Sequence, residues 1–212
     1  TLLPFVISSI IALFSGLLLK FIFTKHNIDG SASMLICGLS WIVISAVGAL
    51  PYVFIIKASY LNAYFEAVSG FTTTGITVFS GLDHMPASLI FWRSMTQWIG
   101  GLGILSLFLV IIYQSGSVHH IYSAESHKIS SSRPRPGLFN TLKVLWAIYG
   151  SLTALAIAAF TIEGMGFFDA VNHAFTALST GGFSPHDASI AYYAQNNYKN
   201  YKLIEYTVTF FM

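Results

Sequence analysis

Two short segments combine hydroxyl side chains with glycine in a chain that is otherwise strongly apolar. The first reads TTTG over Thr72–Gly75, and the second reads STGG over Ser179–Gly182. Hydroxyl and backbone carbonyl groups are oxygen donors, and oxygen-only ligation suits hard cations rather than zinc or copper. Glycine permits the backbone angles that a ring of carbonyl ligands requires. The two segments therefore predict a site for a hard cation, although a single TTTG would more simply be an ordinary turn.

The composition indicates a membrane protein. Of the 212 residues, 55% are hydrophobic and only 8% are charged, whereas soluble domains carry about 25% charged residues. A net charge of +2 gives no basic patch that would favour nucleic acid as a partner. The single cysteine, Cys37, excludes an internal disulfide and a metal cluster built on cysteine.

Four apolar runs are long enough to cross the hydrocarbon core, which takes about 20 residues. They are Thr1–Leu19, Ser31–Ile56, Met85–Tyr113 and Val144–Ile162. A fifth run begins near Tyr206 and continues to Met212. Because the chain starts without methionine in one apolar run and stops inside another, we expect it to be part of a longer polypeptide.

Two further apolar runs, Tyr60–Phe71 and Phe167–Leu178, are too short to span a membrane. Each carries one acid, Glu66 or Asp169, and leads directly into a hydroxyl–glycine segment. Runs of about 10–14 residues between spans are typical of re-entrant or interfacial helices. Non-helical backbone at membrane depth persists only where it is buried in protein or lines a water-filled path. We therefore expect each short helix to lead into a re-entrant strand whose carbonyls face a cation pathway.

The order of span, short helix, hydroxyl–glycine segment and span occurs twice along the chain. We expect an extra N-terminal transmembrane helix and cytoplasmic turn over 1–30, a first repeat over 31–113, a basic cytoplasmic linker over 114–137, and a second repeat over 138–212 that is truncated in its last span. Pairing Gly75 with Gly181 aligns the two segments. A repeat of this kind suggests pseudo-symmetry about an axis.

The positions of lysine and arginine predict the orientation in the membrane. If the spans alternate, one side holds Lys20, Lys25, Lys128, Arg133, Arg135 and Lys143, and the other holds Lys57, Lys199 and Lys202. Because basic residues accumulate on the cytoplasmic side, the 114–143 link is expected in the cytoplasm. The two short helices then enter from outside.

Three longer motifs resemble the Trk/Ktr/HKT potassium-transporter superfamily. They are FEAVSGFTTTGITV over 65–78, LIFWRSMTQWIGGLGI over 89–104 and FTALSTGGFSPHDASI over 175–190. The nearest branch is the membrane subunit of bacterial Trk systems, TrkH or TrkG. This resemblance implies an all-α polytopic membrane protein with a pore architecture like that of voltage-gated channels. Pseudo-symmetric span–pore helix–span repeats with re-entrant filter loops would then surround one potassium pathway.

The resemblance also implies which residues contact the ion. The first filter strand would consist of Thr72, Thr73, Thr74 and Gly75, and the second of Leu178, Ser179, Thr180 and Gly181. Potassium would be the transported ion, with no organic cofactor in this chain. The expected function is potassium uptake across the bacterial inner membrane by a homodimer within the lipid bilayer. A cytoplasmic nucleotide-binding regulatory subunit similar to TrkA would be its partner, and the family's gate, in the third repeat, lies outside this chain.

Two other classes of function compete with transport. An intramembrane hydrolase would need a pair such as Ser69 and His173, but the sequence has neither an HExxH nor a GxSxG motif. A non-transporting membrane scaffold explains the spans but not the repeated hydroxyl–glycine segments. We therefore expect a transporter and not an enzyme.

Two charged residues inside apolar segments are expected to support the filter. Arg93 lies within a predicted span, where a charge is a functional candidate by default. We expect it to act as an anchor near the outer mouth, paired with Glu66 or Asp83. Glu66 lies on the first short helix and is expected to brace the filter through hydrogen bonds and not to bind an ion.

Further polar clusters are expected in loops. Asp83–His84 and His186–Asp187 follow the two filter strands; they would either concentrate cations at the mouth or form an ordinary solvated loop, which we favour. His119, His120 and His127 cluster in the linker without carboxylate or cysteine partners at metal spacing. We expect a solvated loop there and not a metal site.

Overall fold

All regular structure in the described part of the chain is helical. The computed structural model describes residues 2–22, 30–114 and 138–212. Its helices are α1 (Leu2–Ile22), α2 (Gly30–Gly48), α3 (Leu50–Ile56), α4 (Tyr60–Phe71), α5 (Ala87–Gln114), α6 (Leu138–Ile162), α7 (Phe167–Leu178), α8 (Ala191–Gln195) and α9 (Tyr201–Phe211), with a 3-10 turn at Leu82–His84. The expected all-α class is therefore confirmed. The linker histidines and nearly all of the expected 114–137 linker lie outside the described residues, and the domain boundaries stay a prediction.

Three helical segments in the described residues are long and apolar enough to cross a membrane. They are Leu3–Ile22, Gly38–Ile56 and Asn140–Ile162, and they coincide with three of the four expected spans. The remaining expected span, Met85–Tyr113, is covered by α5, whose 28 residues extend over about 42 Å at 1.5 Å per residue. The N-terminal half of α5 carries polar side chains that are buried within the protein, so this face of the helix packs against protein and not against lipid.

The second expected span is not one continuous helix. Within the apolar run over 31–56, α2 ends at Gly48 and α3 begins at Leu50. Pro51 lies in the first turn of α3. Proline has no N–H to donate, and its ring clashes with the carbonyl four residues earlier, so the helix breaks just before it.

Both short helices have the bounds predicted from their apolar runs, namely α4 and α7 with 12 residues each. Their first caps have the same backbone angles, φ −59° and ψ 143°, at Ser59 and at Gly166. The Ser59 side chain accepts a hydrogen bond from the Asn62 N–H at 3.3 Å, which satisfies one of the free amides at the start of a helix. The two short helices therefore begin with the same local geometry.

Helix α5 lies between α4 and α7 and packs against both. Both short helices bury alanines. Ala63 and Ala67 of α4 pack in one cluster with Tyr52 and Leu89, and Ala170 and Ala174 of α7 pack in another with Phe160 of α6. A spacing of four residues places each pair on one helix face, and small side chains there let helices approach closely. The alanines of α7 pack in the cluster with α6, whereas α5 contacts the chain beside the second segment through Arg93 and Gln97.

Candidate functional site

The backbone after α4 repeats almost unchanged after α7. Thr73 and Thr180 are left-handed, with φ of 55° and 53°, and Gly75 and Gly182 follow with φ of 77° and 79°. Left-handed angles are rare for threonine, since its branched side chain makes them strained. Two independent segments therefore share a strained conformation at corresponding positions, 107 residues apart.

This geometry corrects the register expected from the sequence. Gly75 corresponds to Gly182 and not to Gly181, and Thr74 corresponds to Gly181. Leu178 is the last residue of α7, at the position that Phe71 occupies in α4. The expected alignment paired identical or similar residues, TTG with STG. The feature that the two loops share is the sign of φ at each position, which residue types do not reveal.

The amides of both segments are directed back at the preceding helix. The Thr73 N–H donates to the Gly70 carbonyl at 3.0 Å, and its counterpart Thr180 donates to the Ala177 carbonyl at 2.8 Å. The next amide bonds one residue further back in each case, to Ser69 and to Thr176, both at 2.9 Å. These bonds use helix-terminal carbonyls that would otherwise lack a partner.

The carbonyls of the two segments have no such partner. Within the described residues, none of the carbonyl oxygens of 72–75 or 179–182 accepts a hydrogen bond. In each segment a residue with negative φ, −84° at Thr72 and −83° at Ser179, precedes the left-handed threonine. Each segment therefore has four backbone carbonyl oxygens that are free of hydrogen bonds within the described residues.

The hydroxyl groups at the start of the segments are bonded to the helices. Thr72 Oγ1 donates to the Val68 carbonyl at 2.7 Å, and Ser179 Oγ donates to the equivalent Phe175 carbonyl at 2.9 Å. The Thr72 hydroxyl also lies 2.8 Å from that of Thr74. These side chains therefore fix the turn out of the helix, and the backbone is left as the main source of ligand oxygens.

The two segments meet at their glycines. A Cβ atom added to Gly75 would collide with the Gly181 carbonyl oxygen. A Cβ atom added to Gly181 would collide with the side-chain amide of Gln97, on α5. Both positions therefore require glycine because of close approach, and Gly75 requires it also because of its positive φ.

Glu66 braces the chain that follows the first segment. Its Oε1 accepts from Thr77 Oγ1 at 2.8 Å, and its Oε2 accepts from the Val78 N–H at 3.1 Å. Its side chain is fully buried. These contacts confirm that Glu66 makes hydrogen bonds, and they place those bonds on the chain just after the first segment.

Arg93 links the two segments through a buried ion pair. Its Nε donates to Glu66 Oε1 at 2.8 Å, and the two side chains are 1% and 0% exposed. Its Nη1 donates to the Ser184 carbonyl, just after the second segment, at 3.1 Å. The guanidinium also lies 4.3 Å from the centre of the Phe183 ring, in the range of a cation–π contact. The expected pairing with Glu66 is confirmed, whereas Asp83 is bonded to His186; the anchoring role at the outer mouth stays a prediction.

Gln97 is a residue that the sequence analysis missed. It is fully buried, and its Oε1 accepts the Phe183 N–H at 3.1 Å. A signal was available, because Gln97 lies four residues after Arg93 and hence on the same face of α5. A neutral glutamine in an apolar run has no charge that would mark it as a functional candidate, so its type alone did not predict this contact.

Aspartate and histidine side chains join the two loops that follow the hydroxyl–glycine segments. His186 Nδ1 lies 2.5 Å from Asp83 Oδ1, and His186 Nε2 lies 3.1 Å from Asp169 Oδ2. The Gly81 N–H donates to Asp187 Oδ1 at 2.9 Å. The hydrogen bond from His186 holds the pKa of Asp83 below its ordinary value. Asp83, His84 and Asp187 are exposed, as expected of a solvated loop. The structure adds that Asp83, His186 and Asp187 connect the two loops.

The residues named for a hydrolase do not form a catalytic pair. Ser69 Oγ and His173 Nε2 are both buried, and neither has a hydrogen-bond partner within the described residues. The His173 ring instead packs edge-on against Phe160 and Tyr193. In the part of the chain that the structure describes, no three His, Cys, Asp or Glu side chains are grouped to hold a metal ion.

Comparison with known proteins gives a consistent set of matches. The family model TrkH, described as "Cation transport protein", matches residues 3–212. The Trk system potassium uptake protein TrkH of Vibrio parahaemolyticus is 38% identical over 196 residues, which cover 90% of this chain and 40% of that protein. The Escherichia coli K12 protein of the same name is 40% identical over 173 residues, covering 80% of this chain and 36% of that protein.

A solved structure is also similar. The crystal structure of the potassium transporter TrkH from Vibrio parahaemolyticus superimposes with a TM-score of 0.73 at 34% sequence identity. The match covers 89% of this chain and 38% of that chain. This chain therefore spans roughly two fifths of the length of the relatives it matches.

Proposed function

Because this chain belongs to the TrkH family of cation transport proteins, we propose that it contributes two re-entrant loops to a potassium uptake pathway. The observation that supports this most is the pair of loops with matching φ angles and unengaged carbonyl oxygens. In this proposal, the carbonyls of Thr72–Gly75 and Ser179–Gly182 replace part of the hydration shell of the ion. Gly182 takes the place that the sequence analysis had given to Leu178, whose position is helical.

The short helices favour a cation at this place. Helices α4 and α7 both end at the segments, and the C-terminal end of a helix carries a partial negative charge. The carbonyl rows extend this negative potential. A hard monovalent cation such as potassium matches oxygen ligands of this kind.

Two loops do not close a ring around an ion. The curated relatives are about two and a half times as long as the matched region, which leaves room for two further repeats of the same size. We propose that four such loops surround one pathway and that this chain supplies the first two. The ring would be pseudo-symmetric, as the matching caps and φ angles suggest.

The partners and the location extend this proposal. The chain is a membrane protein by family and by its spans. We infer a homodimer in the bacterial inner membrane, with the filter loops outside and the 114–143 link in the cytoplasm, as the distribution of basic residues suggests. The relatives are named as proteins of a Trk system, in keeping with a cytoplasmic nucleotide-binding regulatory subunit similar to TrkA.

The test compares three left-handed glycines. Gly75→Ala adds both backbone strain and a collision with the Gly181 carbonyl, whereas Gly182→Ala adds strain in open space. Gly81→Ala is the matched control, because its φ of 74° is similar, it has open space, and it lies outside the segments. The assay measures rubidium uptake, with and without competing sodium, by cells that lack other potassium uptake systems and that produce the full-length protein containing this chain.

We expect Gly75→Ala to lower rubidium uptake, or the preference for rubidium over sodium, by about tenfold or more. Backbone strain alone costs about 1–3 kcal/mol, the collision adds to it, and each 1.4 kcal/mol corresponds to about a factor of ten. Gly182→Ala should have a smaller effect in the same direction. Gly81→Ala should stay within about twofold of wild type, as a surface change does. Equal uptake and preference in all three variants at matched membrane levels would contradict the assignment of the filter.

A further inference from the structure

The second segment lacks the bracing that Glu66 gives the first. The residue of α7 that corresponds to Glu66 is His173, whose Nε2 makes no hydrogen bond within the described residues. The counterpart of Val78, whose N–H is bonded to Glu66, is Pro185, which has no N–H. The chain after the second segment must therefore be held by a different element.

That element is α5, which contacts two successive residues of the chain. The Phe183 N–H is bonded to Gln97 at 3.1 Å, and the Ser184 carbonyl is bonded to Arg93 at 3.1 Å. Arg93 acts at the outer end and also engages Glu66. Gln97 acts one helical turn deeper, beside the glycines at which the two segments meet.

The position of Gln97 lets it set the spacing of the two segments. Its side-chain amide fills the space that a Cβ of Gly181 would occupy. Its Nε2 lies 3.7 Å from where a Cβ of Gly75 would be. That nitrogen is buried and has no hydrogen-bond partner within the described residues. Buried polar groups are normally paired, and exceptions call for an explanation.

We propose that Gln97 is a positioning residue that fixes the second filter segment against the first and thereby contributes to discrimination between potassium and sodium. The inference rests on the proposed function of the two segments. Its Oε1 holds the Phe183 amide in place, and the body of the amide keeps Gly181 and Gly75 at their observed separation. Gln97 itself does not contact the ion.

Three substitutions separate these contributions. Gln97→Met keeps the length and much of the volume but removes the acceptor for the Phe183 N–H. Gln97→Asn keeps the amide but withdraws it by one methylene group. Gln97→Glu is the conservative variant in its protonated form, which burial favours, because it then retains an oxygen at the position of Oε1 without adding a charge. Ser94→Ala is the control, since Ser94 is equally buried on α5 but bonds only to Ile90 within its own helix, at 3.3 Å.

The readout is the ratio of rubidium uptake to sodium uptake by proteoliposomes that contain the full-length protein of which this chain is part. A merely structural role would change the amount of active protein and leave this ratio untouched. We expect Gln97→Met and Gln97→Asn to lower the ratio about fivefold, which corresponds to about 1 kcal/mol. We expect Gln97→Glu to retain more of the ratio than either, and Ser94→Ala to match wild type.

The outcomes distinguish this inference from the proposed function. If the wild-type protein prefers rubidium and Gln97→Met and Gln97→Asn have the same preference, the role of Gln97 is overturned and the proposed function is not. Gln97→Glu as impaired as Gln97→Met would also overturn the role of Gln97. If Gln97→Met is not incorporated into the membrane, Gln97→Asn decides by the same criterion. A wild-type protein without any preference would instead contradict the proposed function.

Discussion

The buried ion pair between Glu66 and Arg93 makes a quantitative prediction. Glu66→Gln keeps the shape of the side chain but removes the charge that faces Arg93 Nε at 2.8 Å. Both side chains are almost completely buried, so solvent cannot compensate the guanidinium. Removing one partner of a buried pair costs about 3–5 kcal/mol. We expect a loss of this size in the free energy of unfolding.

A double-mutant cycle tests the reason for this loss. Arg93→Met alone should also destabilise the protein, because it leaves Glu66 as a buried unpaired carboxylate. The double variant leaves neither charge unpaired, so its loss should be smaller than the sum of the single losses by about 2 kcal/mol or more. Glu205→Gln is the control; this residue is exposed on α9, and the change should stay within about 0.5 kcal/mol.

The measurement is reversible unfolding of the purified protein in mixed micelles of mild detergent and denaturing detergent, followed for the two single variants, the double variant and the control. Strictly additive losses would refute the account of the pair as coupled. A Glu66→Gln variant as stable as the Glu205→Gln control would refute the claim that Glu66 braces the first segment.

Two further predictions concern the contact between Asp83 and His186 and the helix packing. The hydrogen bond from His186 holds the pKa of Asp83 below its ordinary value of 3.8. The stability that Asp83 contributes is therefore present above pH 3.8 and is lost as the pH falls through the lower pKa of the folded state. Below about pH 3.8, the thermal stability of wild type should fall more steeply with pH than that of Asp83→Asn, and parallel curves would contradict this. Ala67→Leu adds volume at a fully buried position and should lower the free energy of unfolding in the micelle assay by about 1–3 kcal/mol. Ala147→Leu, on the exposed face of α6, should leave this free energy nearly unchanged. Equal losses in the two variants would contradict the packing of Ala67.

Much of the helical framework could be predicted because it follows from hydrophobic length. The bounds of α4 and α7 emerged directly from apolar runs that are too short to span a membrane. The family resemblance carried by three motifs is confirmed by the match over residues 3–212. Hydrophobic length does not reveal the break before Pro51, which follows from the missing N–H of proline.

The details of the site were less accessible from the sequence. The pairing of Gly75 with Gly182 depends on φ, and a left-handed Thr180 cannot be distinguished by its letter from an ordinary threonine. The role of Gln97 depends on a contact across 86 residues. The link between Asp83 and His186 spans 103 residues. Such contacts arise from packing around α5, which local patterns do not encode.

The most direct test of the central claim is to locate the ion. Rubidium or thallium bound to the purified gene product can be identified by anomalous diffraction or by comparison of cryo-EM maps with and without the ion. The account predicts ion density in contact with the carbonyl oxygens of both Thr72–Gly75 and Ser179–Gly182. Density elsewhere in the protein, with none between these two segments, would contradict it.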